Sequence, residues 1–346
     1  MSTTFSDDFD AAPGYLSACT VGVPTRATTA AMQEFLADWS RGGLDAVALG
    51  ASAERSRALF ARIAGVSPDE VAIGSQTSQL VSVIATAVPD GAEVLCAAGD
   101  FSSLTHPFEQ LADRDVTVRY APLAELAAAI RPETALVAFS LVQSATGEVA
   151  DHEAISAAAA AHGARTCVDL TQSLGWLPIG AESFDYTVCH AYKWLCAPRG
   201  TAFMTVRRER MHDATPVAAG WCSSDDPWTA TYAGHTPLSE TARRFDLSPV
   251  WPALTGTERA LEYFAGHDAD AIHDHVLRLA NAARHELGLA PGDSAIVTWA
   301  DPDGCDLARM QAAGITASGR AGNARIAFHV WNSDADVSML AEALRD

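Results

Sequence analysis

The sequence lacks the features that mark secreted, zinc-binding or membrane-spanning proteins. Its seven cysteines are scattered and none forms a CxxC pair, which argues against a disulfide framework or a zinc site. No run of about 18 uninterrupted apolar residues is present, and the acidic start, MSTTFSDDFDAAPGYL, has no apolar segment of a signal peptide. We therefore expect a cytoplasmic protein without a membrane segment and without a metal site.

Positive charge is also scarce. The chain has 23 Lys and Arg against 43 Asp and Glu, a formal net charge of −20. Because such a field repels phosphate, binding of nucleic acid or of an anionic membrane through overall charge is not expected. A local cationic pocket for a small anion remains compatible with this composition.

Short apolar strands alternate with helical patterns over most of the 346 residues. This alternation predicts an α/β fold with a mostly parallel central sheet sandwiched by helices, in one large domain or in two domains that share a core. Near the C-terminus, a pattern of strand, strand and helix predicts a smaller α+β domain. Ligands of such folds bind at the carboxyl ends of the strands.

Three polar features follow predicted strands. Asp169 ends one strand, Lys193 follows the next strand in an apolar run, and the loop at 74–79, GSQTSQ, precedes a helix. Each has an ordinary interpretation: a turn-capping carboxylate, a lysine that extends to solvent, and a helix N-cap. Together they match the needs of pyridoxal 5'-phosphate, which requires a Schiff-base lysine, a carboxylate for its pyridine nitrogen and an anion site for its phosphate.

Six segments in order resemble the class V aminotransferase family of fold-type I pyridoxal-phosphate enzymes, which includes cysteine desulfurases, kynureninases and isopenicillin-epimerase-like proteins. The segments are YLSACTVGVPT, IGSQTSQLVSVIA, LVQSATGEVAD, VDLTQSLGWLPI, HAYKWLCAPRGTAF and ARIAFHVWNSDADVSML. The resemblance implies a large cofactor-binding domain at 26–247 and a small domain formed by 1–25 with 248–346. It also implies a homodimer whose active site lies at the subunit interface.

The resemblance assigns roles to individual residues. Lys193 would form the Schiff base and move the substrate proton, Asp169 would pair with the pyridine nitrogen, and Arg325 would bind the substrate carboxylate. The resemblance implies that Gln172 contacts the phenolic oxygen and that Phe101 stacks on the ring. The other cofactor-binding residues that it implies are Ser75 and, for the phosphate, Gln76, Thr77, His190 and Tyr192.

Two departures from the family pattern bear on the reaction. The segment at 314–325, GITASGRAGNAR, has no cysteine where desulfurases carry their nucleophile, which disfavours a desulfurase. Ser144 replaces a common Asn, so a hydrogen bond near the phenolic oxygen is expected to be lost. We therefore expect β-elimination on an amino acid, of the C–S lyase type, with transamination or epimerisation as alternatives. The segment at 220–252, with Ser248 and His235, is expected to complete the site of the partner subunit.

Overall fold

The structure is a computed structural model that describes residues 5–232, 234–235 and 237–345. Residues 1–4 and 346 of the predicted small domain, and residues 233 and 236 of the predicted interface segment, lie outside the described residues. Within the described part, no helix is long and apolar enough to cross a membrane.

The described residues include ten strands, which form two sheets. The strands are β1 Val71–Gly74, β2 Glu93–Ala97, β3 Thr117–Ala121, β4 Thr134–Ser140, β5 Arg165–Asp169, β6 Tyr186–His190, β7 Ala202–Val206, β8 Ile296–Ala300, β9 Ser318–Arg320 and β10 Asn323–Ala327. Seven of them form a sheet in the order β1-β7-β6-β5-β4-β2-β3, in which β7 alone runs antiparallel to its neighbours. The mostly parallel sheet predicted from the alternating pattern is therefore present.

Helices flank this sheet. They are α1 Arg26–Ser40, α2 Ala46–Ala64, α3 Thr77–Ala85, α4 Ser102–Glu109, α5 Leu126–Ala129, α6 His152–His162, α7 Pro227–Ala230, α8 Trp251–Gly266, α9 Ala269–Glu286, α10 Cys305–Ala312 and α11 Asp334–Leu344. Local sequence explains their ends: Asp45 accepts hydrogen bonds from the first turn of α2, and Gly163 ends α6 in the left-handed conformation. Apolar clusters on the two faces of the sheet share no member, so the sheet is buried on both sides.

The C-terminal strands form a second, antiparallel sheet in the order β8-β10-β9. Isolated bridges join Tyr15 to Thr316 and Ser17 to Ala327, so the N-terminal segment runs beside this sheet. Helix α8, which the sequence assigns to the small domain, packs on α1 and α2, and Glu258 accepts a hydrogen bond from Ser52 at 2.5 Å. The boundary at residue 247 stays a prediction.

Three short elements were missed by the sequence patterns, one of them α7 within the segment at 220–252. The segment around Phe101 continues into α4, although Pro107 lies inside this helix, and β9 precedes the expected C-terminal strand. Pro107 suppresses the helical signal in a single sequence, and a strand of three residues is too short to show alternation.

Candidate active site

The predicted site residues converge at the carboxyl ends of β5 and β6. Asp169 is the last residue of β5 and His190 the last residue of β6, and Lys193 follows three residues later. A cavity at this edge of the sheet is lined by Gln76, Thr77, Ser78, Phe101, Ser103, Ser140, Ser144, Asp169, Thr171, Gln172, His190, Tyr192, Lys193 and Arg199. Parallel neighbours therefore bring together residues that lie far apart in the sequence.

Lys193 is the only lysine in the chain. Its side chain is 7% exposed, and burial lowers the pKa of its ammonium to about 8, against the attraction of Asp169. Its nitrogen lies 5.7 Å from the ring centre of Phe101 and 5.6 Å from that of Tyr192. Within the residues described, this nitrogen makes no hydrogen bond or ion pair, so a ligand is its natural partner.

Asp169 is buried and lines the same cavity as Lys193. Its Oδ1 atom accepts the backbone N–H of Thr171 at 2.8 Å, and the Thr171 hydroxyl in turn accepts the backbone N–H of His190 at 3.0 Å. Burial raises the pKa of Asp169, whereas Thr171 and the charge of Lys193 lower it. This carboxylate is therefore held in place by a backbone contact and faces a single nearby cation.

The other end of the cavity has the features of an anion site. Gln76, Thr77 and Ser78 surround the N-terminus of α3, whose first turn has no side-chain cap. His190 Nε2 is buried without a hydrogen-bond partner in the described structure, and burial, Arg199 and Lys193 lower the pKa of His190 to about 4. A neutral imidazole with an unused ring nitrogen is suited to an oxygen ligand.

Two residues at this end differ from the sequence-based assignment. Ser75 is not among the residues that line the cavity, and its backbone N–H donates to Gln79 Oε1 at 3.4 Å; Ser78 lines the cavity instead. Arg199 also lines the cavity, 4.9 Å from the ring centre of Tyr192. Its presence shortly after the lysine was the available signal in the sequence, but an isolated arginine in a loop indicates no particular ligand.

Arg325 is 1% exposed and lies behind the cavity wall, not among its lining residues. Its guanidinium donates to Ser318 Oγ at 3.1 Å, to Thr20 Oγ1 at 3.2 Å, and to both oxygens of Ser144. Burial lowers its pKa. None of the described carboxylates forms an ion pair with it, so this buried cation has only neutral partners.

Gln172 and Phe101 are both in the cavity wall. The Gln172 side chain contacts Trp194, Cys19 and Ser144 by hydrogen bonds. Phe101 is 49% exposed, so its ring is accessible from the cavity. His235 and Ser248, the predicted contributors to a partner's site, are exposed, and neither lines the cavity of its own chain.

The N-terminal segment around Gly22 packs against the loop that carries Lys193. Gly22 donates its backbone N–H to the carbonyl of Tyr192 at 2.9 Å. A Cβ atom at Gly22 would lie 2.0 Å from the carbonyl oxygen of Lys193, so any larger residue would push this loop away. This close approach explains why a glycine occurs in the opening motif.

A buried lysine and a buried carboxylate that line one cavity with a helix N-terminus are the features that an α/β enzyme of the pyridoxal-phosphate type requires. The aminotransferase class-V family model matches residues 15–304, and the chain belongs to this family. The family, the enzyme class and the cofactor predicted from the sequence are thereby confirmed.

Individual relatives agree with this assignment. A kynureninase from Deinococcus radiodurans is 30% identical over 74% of this chain and 65% of its own length, so the match spans less than two thirds of that relative. An isopenicillin N epimerase from Streptomyces clavuligerus is 24% identical over 74% of this chain and 72% of its own.

A solved structure shows the same fold. The cystine C-S lyase C-DES, in complex with its reaction product cysteine persulfide, superimposes with a TM-score of 0.86 at 19% identity, covering 96% of this chain and 97% of the other. The predicted α/β fold with a mostly parallel sheet is therefore confirmed.

Proposed function

We propose that the protein binds pyridoxal phosphate at Lys193 and catalyses β-elimination on an amino acid, with a sulfur substituent as the leaving group. The observation that carries the cofactor assignment is the buried Lys193 side chain in one cavity with Asp169, its nitrogen without a hydrogen-bond partner in the described residues. An amine whose pKa is lowered from 10.5 to about 8 has a much larger neutral fraction near physiological pH than an ordinary lysine, and the neutral form can attack an aldehyde.

The residues of the cavity fit this cofactor. Thr77, Ser78 and the unpartnered nitrogen of His190 would hold the phosphate at the N-terminus of α3. Asp169 would accept a hydrogen bond from the protonated pyridine nitrogen. When bound, the cofactor supplies an electron sink that stabilises negative charge at the substrate Cα.

The chain's own groups supply binding and proton transfer. Arg325 would bind the substrate α-carboxylate, for which its buried guanidinium has no competing carboxylate among the described residues. The Lys193 amine would take the proton from Cα and return it to the leaving group or to the product. Phe101 offers an apolar surface beside this amine and cannot carry a proton.

Elimination uses one base on one face of the substrate, and this supports it over epimerisation. Epimerisation also requires proton delivery to the opposite face, for which a second group such as the Tyr192 hydroxyl would be needed besides Lys193. Transamination also needs one base and is the alternative function. The missing cysteine at 314–325 supports release of the sulfur group over its capture on the protein.

The proposal includes a homodimer that works in the cytoplasm. Three large apolar side chains are 43–49% exposed: Phe101 beside the cavity, and Trp228 and Val250 in the long segment at 220–252. This exposure favours cover by a second subunit. Sedimentation analysis tests this part: a protein that stays monomeric at micromolar concentration contradicts it.

Two experiments test the function. Borohydride reduction of the cofactor-loaded protein should attach one cofactor to Lys193, and Lys193→Ala should lose the visible absorbance band; an unchanged band in Lys193→Ala rejects the cofactor assignment. Cysteine conjugates should then release pyruvate and ammonia. Conversion of the cofactor to pyridoxamine phosphate without pyruvate would instead establish the transaminase.

A further inference from the structure

Hydrogen positions around Gln172 follow from its partners. The indole Nε1 of Trp194 can only donate, and it lies 2.8 Å from Gln172 Oε1. The carbonyl of Cys19 can only accept, and it lies 3.0 Å from Gln172 Nε2. The amide orientation is therefore determined, and the second hydrogen of Nε2 goes to Ser144 Oγ at 2.9 Å. Gln172 has no N–H left for a ligand.

The same reasoning determines the hydroxyl of Ser144. A serine oxygen accepts two hydrogen bonds and donates one. Ser144 Oγ accepts from Gln172 and from Arg325 Nη1, at 3.1 Å, and a guanidinium can only donate. The hydroxyl hydrogen is thus left over, and no described residue accepts it. Because Ser144 lines the cavity together with Asp169 and Lys193, the available direction is the ligand space.

We propose that the Ser144 hydroxyl donates a hydrogen bond to the phenolic oxygen of bound pyridoxal phosphate, and that it connects this oxygen to the carboxylate-binding Arg325. The inference rests on the proposed function. It replaces the expectation that a serine at this position loses the hydrogen bond, and it gives Gln172 an indirect, positioning role. Donation from a guanidinium into Ser144 Oγ polarises the hydroxyl and strengthens its own hydrogen bond.

The pH dependence of the visible absorbance of the bound cofactor tests the hydrogen bond. A donor to the phenolic oxygen stabilises its negative charge and keeps the midpoint of the pH titration low. Ser144→Ala should therefore raise this midpoint by about one pH unit, the size expected for a hydrogen bond to a charged group. Ser144→Thr keeps the hydroxyl and should return the midpoint toward that of the wild type.

Ser103→Ala is the matched control, because it removes another hydroxyl from the same cavity wall. It should leave the midpoint unchanged. The inference is overturned if Ser144→Ala has the wild-type midpoint, or if Gln172→Ala raises the midpoint more than Ser144→Ala does. In either case a wild-type visible band shows that the proposed cofactor site itself still stands.

Propionate tests the connection to Arg325, since it has a carboxylate and no amino group to react. Bound at Arg325, propionate accepts hydrogen bonds from the guanidinium and weakens its donation to Ser144 Oγ. It should therefore raise the midpoint of the pH titration in the wild type and in Ser144→Thr. The increase should be smaller in Ser144→Ala. An equal increase in all three proteins overturns the connection.

Discussion

Replacing Lys193 with Met is predicted to stabilise the cofactor-free protein at pH 7. Burial lowers the pKa of this ammonium from 10.5 to about 8. Because one pH unit corresponds to about 1.4 kcal/mol, the folded chain holds the charged form at a cost of about 3 kcal/mol relative to the unfolded chain. Met fills similar space without a charge. The pKa of about 8 already includes the attraction of Asp169, so a gain of about 1 to 3 kcal/mol in the free energy of unfolding is expected.

The stability difference between the wild type and Lys193→Met should depend on pH, in a direction set by the lowered pKa of Lys193. The pKa of Lys193 is lower in the folded than in the unfolded chain, so between about pH 8 and pH 10.5 the unfolded chain binds more protons. The stability contribution of Lys193 therefore rises with pH across this window. Lys193→Met lacks this rise, so its advantage over the wild type should be largest below pH 8 and should disappear near pH 10.5.

Urea unfolding of cofactor-free wild type and Lys193→Met, at several pH values between 7 and 10.5, measures this difference. A ¹³C label on lysine should also give a single titrating resonance with a midpoint near 8, because the chain has one lysine. Lys193→Arg is the control: it stays charged and should show no gain. Equal or lower stability of Lys193→Met at pH 7 would refute the argument, and so would a gain that persists unchanged at pH 10.5.

Three further predictions follow from the contacts. Arg325→Ala should raise the substrate KM by roughly 10- to 100-fold, since it removes charged hydrogen bonds, while the cofactor band stays; loss of the cofactor would contradict its assignment to the carboxylate. Asp169→Asn should keep the cofactor but lower kcat on the order of a hundredfold, and wild-type turnover would exclude its role at the pyridine nitrogen. Arg57→Met leaves Asp246, which the arginine contacts at 2.5 Å, buried without its cation. Urea unfolding should show a loss of about 3 to 5 kcal/mol, partly recovered by adding Asp246→Asn; a loss below about 1 kcal/mol would mean that the pair is not needed.

The sequence predicted those parts of the site that depend on strand ends. Asp169 and Lys193 follow neighbouring strands, and parallel pairing of β5 with β6 necessarily brings them to one edge. The loop before α3 was found for the same reason, although the prediction chose Ser75 and the structure places Ser78 in the wall. Burial could not be read from local pattern alone: the sequence predicted Phe101 beside the cofactor without indicating its exposure, and the structure has this side chain in the cavity wall and 49% exposed.

The hydrogen-bond network of the site was beyond reach of the sequence. Gln172 meets Cys19 across 153 residues, and Arg325 meets Ser144 across 181. Such contacts depend on how the N-terminal segment and the second sheet pack against the first, which no local periodicity encodes. The prediction for Ser144 therefore considered only the residue type and missed that two donors direct its hydroxyl.

Two buried arginines show how charge separates structure from function in this chain. Arg57 is enclosed with Asp246 as its partner, so its charge is compensated within the fold. Arg325 is enclosed with neutral partners, although the chain has 43 acidic residues that could have supplied a carboxylate. Arg284 also lacks an ion pair among the described residues, but it contacts no side chain of the cavity wall. Arg325 contacts Ser144 in that wall. A buried cation without a counterion, one side chain away from a ligand cavity, is best explained by an anion that the substrate brings.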